Sequence, residues 1–242
     1  MLNTWGIPHH FSVEGDHHAP PPIKIAALIA VFCLALLAPP SHAATTTDEQ
    51  ALRDWLTSYG VPSELQQYTI DKVKNDETLD ADKEGSVPVI TEDRTSGTSI
   101  IHVKIYADGS FTADQEYTAP SQAMNYAGVG IQSVSGCTYK SAGSAAWGGY
   151  WTNCRAEHAN TYGKLFVRVN YENTPAYGSR ITNFWGAGGN ATYGGGSFRA
   201  QRVASNRILV LGDFASYGGP GTYTRGMYVT SSGSHLTTSS YN

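Results

Sequence analysis

The sequence predicts an α+β protein: an N-terminal helical hairpin packed beside an antiparallel β sandwich or barrel. Between residues 47 and 75, apolar side chains recur at helical spacing behind two capping signals. From Ser99 onward, short β-branched and aromatic runs alternate with glycine clusters at the spacing of turns. Two cysteines, Cys137 and Cys154, flank one candidate hairpin in that second part. The expected organisation is therefore a signal peptide over 1–43, a helical hairpin with an acidic connector over 44–85, and an antiparallel β domain with one disulfide over 86–242.

The signal peptide rests on the apolar run Ile25–Ala38. It is shorter than the roughly twenty residues a membrane helix needs. Pro39-Pro40 breaks it, and Ser41-His42-Ala43 supplies a small-x-small cleavage signal. Residues 1–24 carry only Lys24 as a fixed positive charge beside Glu14 and Asp16, which a start codon assigned too far upstream explains. Cleavage near Ala43 leaves no membrane span and implies a secreted, extracellular protein. Cys33 leaves with the signal, so Cys137 and Cys154 remain as an even pair, the pattern of one disulfide in an exported chain. A loop of that length contributes roughly 3 kcal/mol in the chain-entropy account.

The helical hairpin follows. Thr47 with Gln50 has the form of a capping box, and Leu52, Trp55, Leu56 and Tyr59 make one apolar stripe. Gly60 is the stop. Ser63 with Gln66 repeats the box, and Leu65, Tyr68, Thr69 and Val73 make a second stripe. Residues 75–85 are an acidic connector. Strands are expected over Ser99–Tyr106 and Ser110–Tyr117, joined at Ala107-Asp108-Gly109 by a type I′ turn. Residues 121–128 read as a linker. The alternation in Lys164–Glu172 sets Leu165, Val167, Val169 and Tyr171 on one face and Phe166, Arg168, Asn170 and Glu172 on the other. Further strands are expected near 148–156, 178–184, 196–204, 207–213 and 222–230. Gly186–Gly196 reads as a turn or loop, and the Ser/Thr-rich end, Thr230–Ser240, as a frayed tail or an edge strand. The tip of the cysteine hairpin is Ala142–Gly149, with Trp147 in it.

Charge is uneven. Residues 44–120 carry fifteen Asp/Glu against six Lys/Arg, whereas residues 121–242 carry three acids, Glu157, Glu172 and Asp213, against nine bases. Such asymmetry suggests two surfaces, or two parts that attract each other. No catalytic motif stands out: there is no nucleophile elbow, P-loop or zinc-protease helix, and no cofactor signature. The histidines after residue 43 (His102, His158, His235) lack metal-ligand spacing. Glu157 and His158 are adjacent, so on a strand they point to opposite faces.

Tyrosine and tryptophan are plentiful after Tyr117, and both suit binding surfaces because they offer flat amphipathic area at low entropic cost. The loop aromatics Trp147, Trp185 and Tyr193 are expected outside the core, with Arg168, Arg199, Arg202 and Arg207 supplying positive charge. Several of these features together resemble a type of small actinobacterial secreted protein. They are the signal, the hairpin with Trp55-Leu56 and Gly60-Val61, the Pro88-Val89 step, the Tyr106-Ala107-Asp108-Gly109-Ser110 turn and the pair Gly136-Cys137 and Asn153-Cys154. The resemblance covers about residues 52–185. It departs at Leu79-Asp80-Ala81, where that type carries Trp-Asp-Ser. It implies export and carries over no catalytic residue. The functional expectation is a non-enzymatic extracellular binding or interaction module for a glycan, an anionic polymer or a protein, with no specific nucleic acid. The alternative is a secreted hydrolase of cell-wall or polysaccharide material.

Overall fold

The computed structural model describes residues 46–97, 99–118, 133–134, 137–141, 148–218 and 221–241. The chain partitions into Met1–Ala38 and Pro39–Asn242. The first part, and with it the expected signal peptide, lies outside the described residues, as do the expected linker at 121–128 and Trp147.

Helix α1 spans Thr46–Ser58 and α2 spans Ser63–Lys74. Gly60 stops α1 as expected: at φ 75° its N–H reaches the carbonyl of Thr57, while the Val61 N–H reaches Leu56, the paired bonds of a Schellman end. The capping boxes do not form. Gln50 reaches forward to Asp54. Pro62 occupies the cap position of α2 without a side-chain bond, and the buried Gln66 amide donates to Val61 O at 2.9 Å. On the second stripe Thr69 and Val73 are buried together with Ile70, whereas Tyr68 is 64 % exposed.

Twelve strands follow among the described residues, all in one antiparallel sheet. In chain order they are β1 Ile90–Ser96, β2 Ser99–Ile105, β3 Phe111–Thr118, β4 Ser133–Val134, β5 Cys137–Ser141 and β6 Gly149–Asn160. Then come β7 Gly163–Thr174, β8 Gly178–Ala191, β9 Gly196–Ala204, β10 Arg207–Ala215, β11 Thr222–Ser232 and β12 His235–Tyr241. β3 is the junction. One edge pairs along β2, and the other pairs first with β6 (Thr112–Asp114) and then with β12 (Glu116–Thr118). The order β8-β7-β6-β3-β12-β11-β10-β9 curls into a nearly closed barrel whose two end strands, β8 and β9, lie against each other. No helix among the described residues is long and apolar enough to cross a membrane.

Three expectations change here. The β2–β3 turn is not type I′. Only Gly109 has positive φ, 80°, and the bonds Gly109 N to Tyr106 O and Tyr106 N to Ser110 O define a three-residue loop with a glycine bulge. The stretch after Trp185 is strand rather than loop: β8 runs on to Ala191, and a bulge with Gly186 at φ 62° absorbs the register shift against β7. The Ser/Thr-rich end is neither frayed nor an edge, because β12 lies between β3 and β11.

The helices cover one face of β2 and β3. Leu52 and Leu56 are fully buried, Tyr59 stacks on Phe111 at 4.4 Å between centroids, and Trp55 Nε1 donates to Asn160 O at 2.9 Å. Arg94 of β1 donates to the carbonyls of Ser58 and Tyr59, where the helix end is negative. The sulfurs of Cys137 and Cys154 lie at bonding distance across β5 and β6, and both residues are buried. In register Thr138 faces Thr152. A bulge at 152–153, with Asn153 at φ 57°, then brings Cys154 to its partner. Thiol labelling of the unreduced, unfolded protein is expected to find neither cysteine free; two labelled thiols would contradict the bond.

Candidate functional site

The outward face of β6, β7 and β8 collects the side chains that sequence alternation sets opposite the core. Along β7 these are the half-buried Phe166, Arg168 and Asn170, with Glu172, itself buried, at the far end, while Leu165, Val167, Val169 and Tyr171 face the core. Backbone register then chooses their neighbours. On β8, Trp185 lies opposite Arg168, Asn183 opposite Asn170 and Arg180 opposite Glu172. On β6, Arg155 lies opposite Arg168, Glu157 opposite Phe166 and Tyr150 opposite Glu172. Directly paired residues on one face have Cβ atoms about 5 Å apart. The result is a three-strand platform carrying two exposed aromatics, Trp185 at 39 % and Tyr150 at 42 %, among arginines and asparagine amides.

The β6 bulge organises the middle of this platform. The Asn153 N–H donates to Asn170 Oδ1 at 2.8 Å, and Arg168 Nη1 donates to Asn153 Oδ1 at 2.9 Å. Asn183 Oδ1 accepts from the Phe184 N–H at 2.9 Å. Both asparagines therefore spend their oxygens on backbone and keep their NH₂ donors. The charges are otherwise paired. Arg155 and Lys164 meet Glu157, and Arg180 meets Glu172 while lying 3.8 Å over the Tyr177 ring.

Of the residues singled out in the sequence, the structure brings Arg168 and Trp185 together as direct cross-strand neighbours. Tyr193 is corrected: it is 7 % exposed, packs edge-on against Tyr217 and belongs to the core, because the β8–β9 turn folds it inward. The other arginines do not join the platform. Arg199 pairs with Asp213, whose carboxyl Thr224, Arg199 and Ser197 hold below the usual range. Arg202 donates to Ile181 O and Ser205 O and closes the seam between β8 and β9. Arg207 bonds Thr230 Oγ1 and lies 5.3 Å from the Tyr228 ring centroid. Tyr150, Asn153 and Asn183 were not singled out; the alternation of β7, extended across its neighbours, is the signal that points to them.

Other polar clusters serve the fold. His158 is buried with Nδ1 at 2.8 Å from Asp114, on the face opposite Glu157, as their adjacency requires. His102 lies between Asp93 and Glu116, which hold its pKa above the usual value, Asp93 most strongly. Among the described residues no group of three His, Cys, Asp or Glu side chains is arranged to hold a metal ion. Glu157 stands opposite Phe166, so Glu172 is six residues further along the neighbouring strand. At about 3.4 Å per residue that is roughly 20 Å, well beyond the spacing across which a carboxylate pair cleaves a glycosidic bond.

At one end of the barrel, Arg225 Nη2 pairs with Asp82 at 2.7 Å while its guanidinium lies over Tyr162 and within 5.7 Å of the Tyr223 ring centroid. Burial pushes the Asp82 carboxyl up against the pull of Arg225. Tyr223, pushed up to about 12 by burial and then by Asp76, donates its hydroxyl to the Asp76 carboxylate. These bonds tie the acidic connector to the barrel. Compared with family models, curated proteins and solved structures, the chain matches none of them.

Proposed function

We propose that this protein is a non-enzymatic binding module for extracellular polysaccharide, and that the β6–β7–β8 platform is its binding face. The observation that carries the reading is Trp185 set exposed beside Arg168 on a pinned sheet, with the free amide donors of Asn170 and Asn183 alongside. An indole face stacks on the apolar face of a pyranose ring, and donors fixed around it bond the ring hydroxyls. A bonded cysteine pair fits an oxidising compartment outside the cytoplasm. The wide spacing of Glu157 and Glu172 sets this reading above hydrolysis.

The test is retention on immobilised polysaccharide. Trp185→Ala is expected to weaken retention about tenfold, on the order of the stacking and area lost from one tryptophan, with the protein still folding cooperatively because part of the ring faces solvent. Undiminished retention by the variant, or release of reducing ends by the native protein, would set the reading aside.

A further inference from the structure

We infer that the platform selects an acidic sugar, a pyranose carrying a carboxylate on its own ring, as in a polyuronic acid chain. This rests on the polysaccharide reading above and narrows it to a ligand class.

Charge bookkeeping on the face points there. Among the described side chains, the platform and its margin hold four cations, Arg155, Lys164, Arg168 and Arg180, against two carboxylates, Glu157 and Glu172. Three of the cations are spent on those carboxylates. Arg168 meets no carboxylate among the described residues; its only partners are the oxygens of Asn153. Both of those bonds use Nη1, which leaves the Nε–Nη2 edge of the guanidinium open. That edge presents two parallel N–H donors, the fork that matches the two oxygens of a carboxylate in one plane. Asn153 is itself held by Asn170, so the fork is oriented before any ligand arrives.

Position completes the argument. Trp185 and Arg168 are cross-strand partners with Cβ atoms about 5 Å apart, so a ring stacked on the indole sits beside the arginine side chain. A carboxylate attached directly to the ring lies within its reach. In a phosphodiester polymer the charge sits on the linker between units and is not tied to the stacked ring. One open guanidinium also suits one charge per sugar rather than a dense polyanion. Trp185 supplies affinity for the ring, and Arg168 supplies preference for its acid.

The experiment compares binding of the purified full chain to polygalacturonate and to alginate, each against its carboxyl-reduced counterpart, in which every acid is a primary alcohol. The native protein is expected to bind at least one native polyuronide about tenfold more tightly than its reduced form, the scale of a charge-assisted pair. Arg168→Gln should bring native and reduced polymers to equal affinity, while Trp185→Ala should weaken both and keep their ratio. Arg168→Lys should recover only part of the preference, because an ammonium lacks the fork. Equal binding of native and reduced polymers by the unaltered protein overturns the acid preference and leaves the polysaccharide reading standing. Binding to polyglycerol phosphate as tight as to the polyuronides also overturns it, since the face would then read charge alone. Binding to none of the polymers overturns both.

Discussion

Replacing Arg225 alone with leucine is expected to cost about 3–4 kcal/mol of stability, because it strands a carboxylate that has been taken out of water. Asp82 is only 14 % exposed in its side chain and Arg225 19 %, so the pair is mostly desolvated. Arg225 also lies over Tyr162, whose hydroxyl is 3.4 Å from Asp82 Oδ2, so the loss spreads through packed neighbours. In a chain of this size the change corresponds to a melting temperature lower by about 10 °C. The double replacement Arg225→Leu with Asp82→Leu should be nearer to the native protein than either single change, since it leaves no buried charge without a partner. Calorimetric melting of the two single variants and the double one makes the comparison. A double variant as unstable as the sum of the singles would show that the pair is not coupled in this way.

Asp108→Ala is expected to destabilise the fold by about 3 kcal/mol, as several hydrogen bonds to one buried carboxylate disappear together. Its oxygens accept from the Ser110 N–H and hydroxyl, from the Asp80 N–H at 2.8 Å and from Lys72 Nζ at 2.9 Å. Three separate parts of the chain therefore converge on one side chain: the β2–β3 turn, α2 and the connector. The Asp108 carbonyl adds a bond from Thr69 Oγ1 at 2.6 Å. Burial raises the Asp108 pKa, but the bonds from Ser110, Asp80 and Lys72 outweigh it, and the net shift is downward. The sign of the pH effect follows. A carboxyl whose folded pKa is depressed stabilises above its unfolded value, near 4, and loses that contribution as pH falls through the folded pKa. The stability difference between native protein and Asp108→Ala should thus be full at neutral pH and shrink below about pH 4. Urea melts of both proteins at neutral and acid pH measure it, and a difference independent of pH would contradict the assigned role.

The charge asymmetry between the halves of the chain is partly spent inside the fold. Arg225 of the second half meets Asp82 of the first in an ion pair, whereas Arg155, Lys164, Arg180 and Arg199 pair with acids of their own half. Composition alone allowed two surfaces or two attracting parts; the Arg225–Asp82 contact is of the second kind. The tyrosines divide in a similar way. Tyr162, Tyr171 and Tyr193 fill the core, whereas Tyr150 and Tyr177 stay exposed. Alternation along β7 already set Tyr171 inward, whereas Tyr162 and Tyr177 each precede a glycine and only the fold separates them.

The helical hairpin, the Gly60 stop, the hairpin of β2 and β3 and the two-faced alternation of β7 were legible in the sequence because each depends on residues a few positions apart. The pairing of Cys137 with Cys154 was legible because the two flank one hairpin and little chain separates them. The length of β8, the interior place of β12 and the burial of Tyr193 were not, because each is set by a partner strand distant in sequence. Glycines that read locally as a turn become strand where Phe166 lies over Gly188 and Phe198 over Gly189, close approaches that a side chain there would block. The candidate site divides along the same line. Alternation placed Arg168 outside the core, but only the bulged register between β7 and β8 put Trp185 beside it, since strand pairing is a long-range choice that local spacing does not encode.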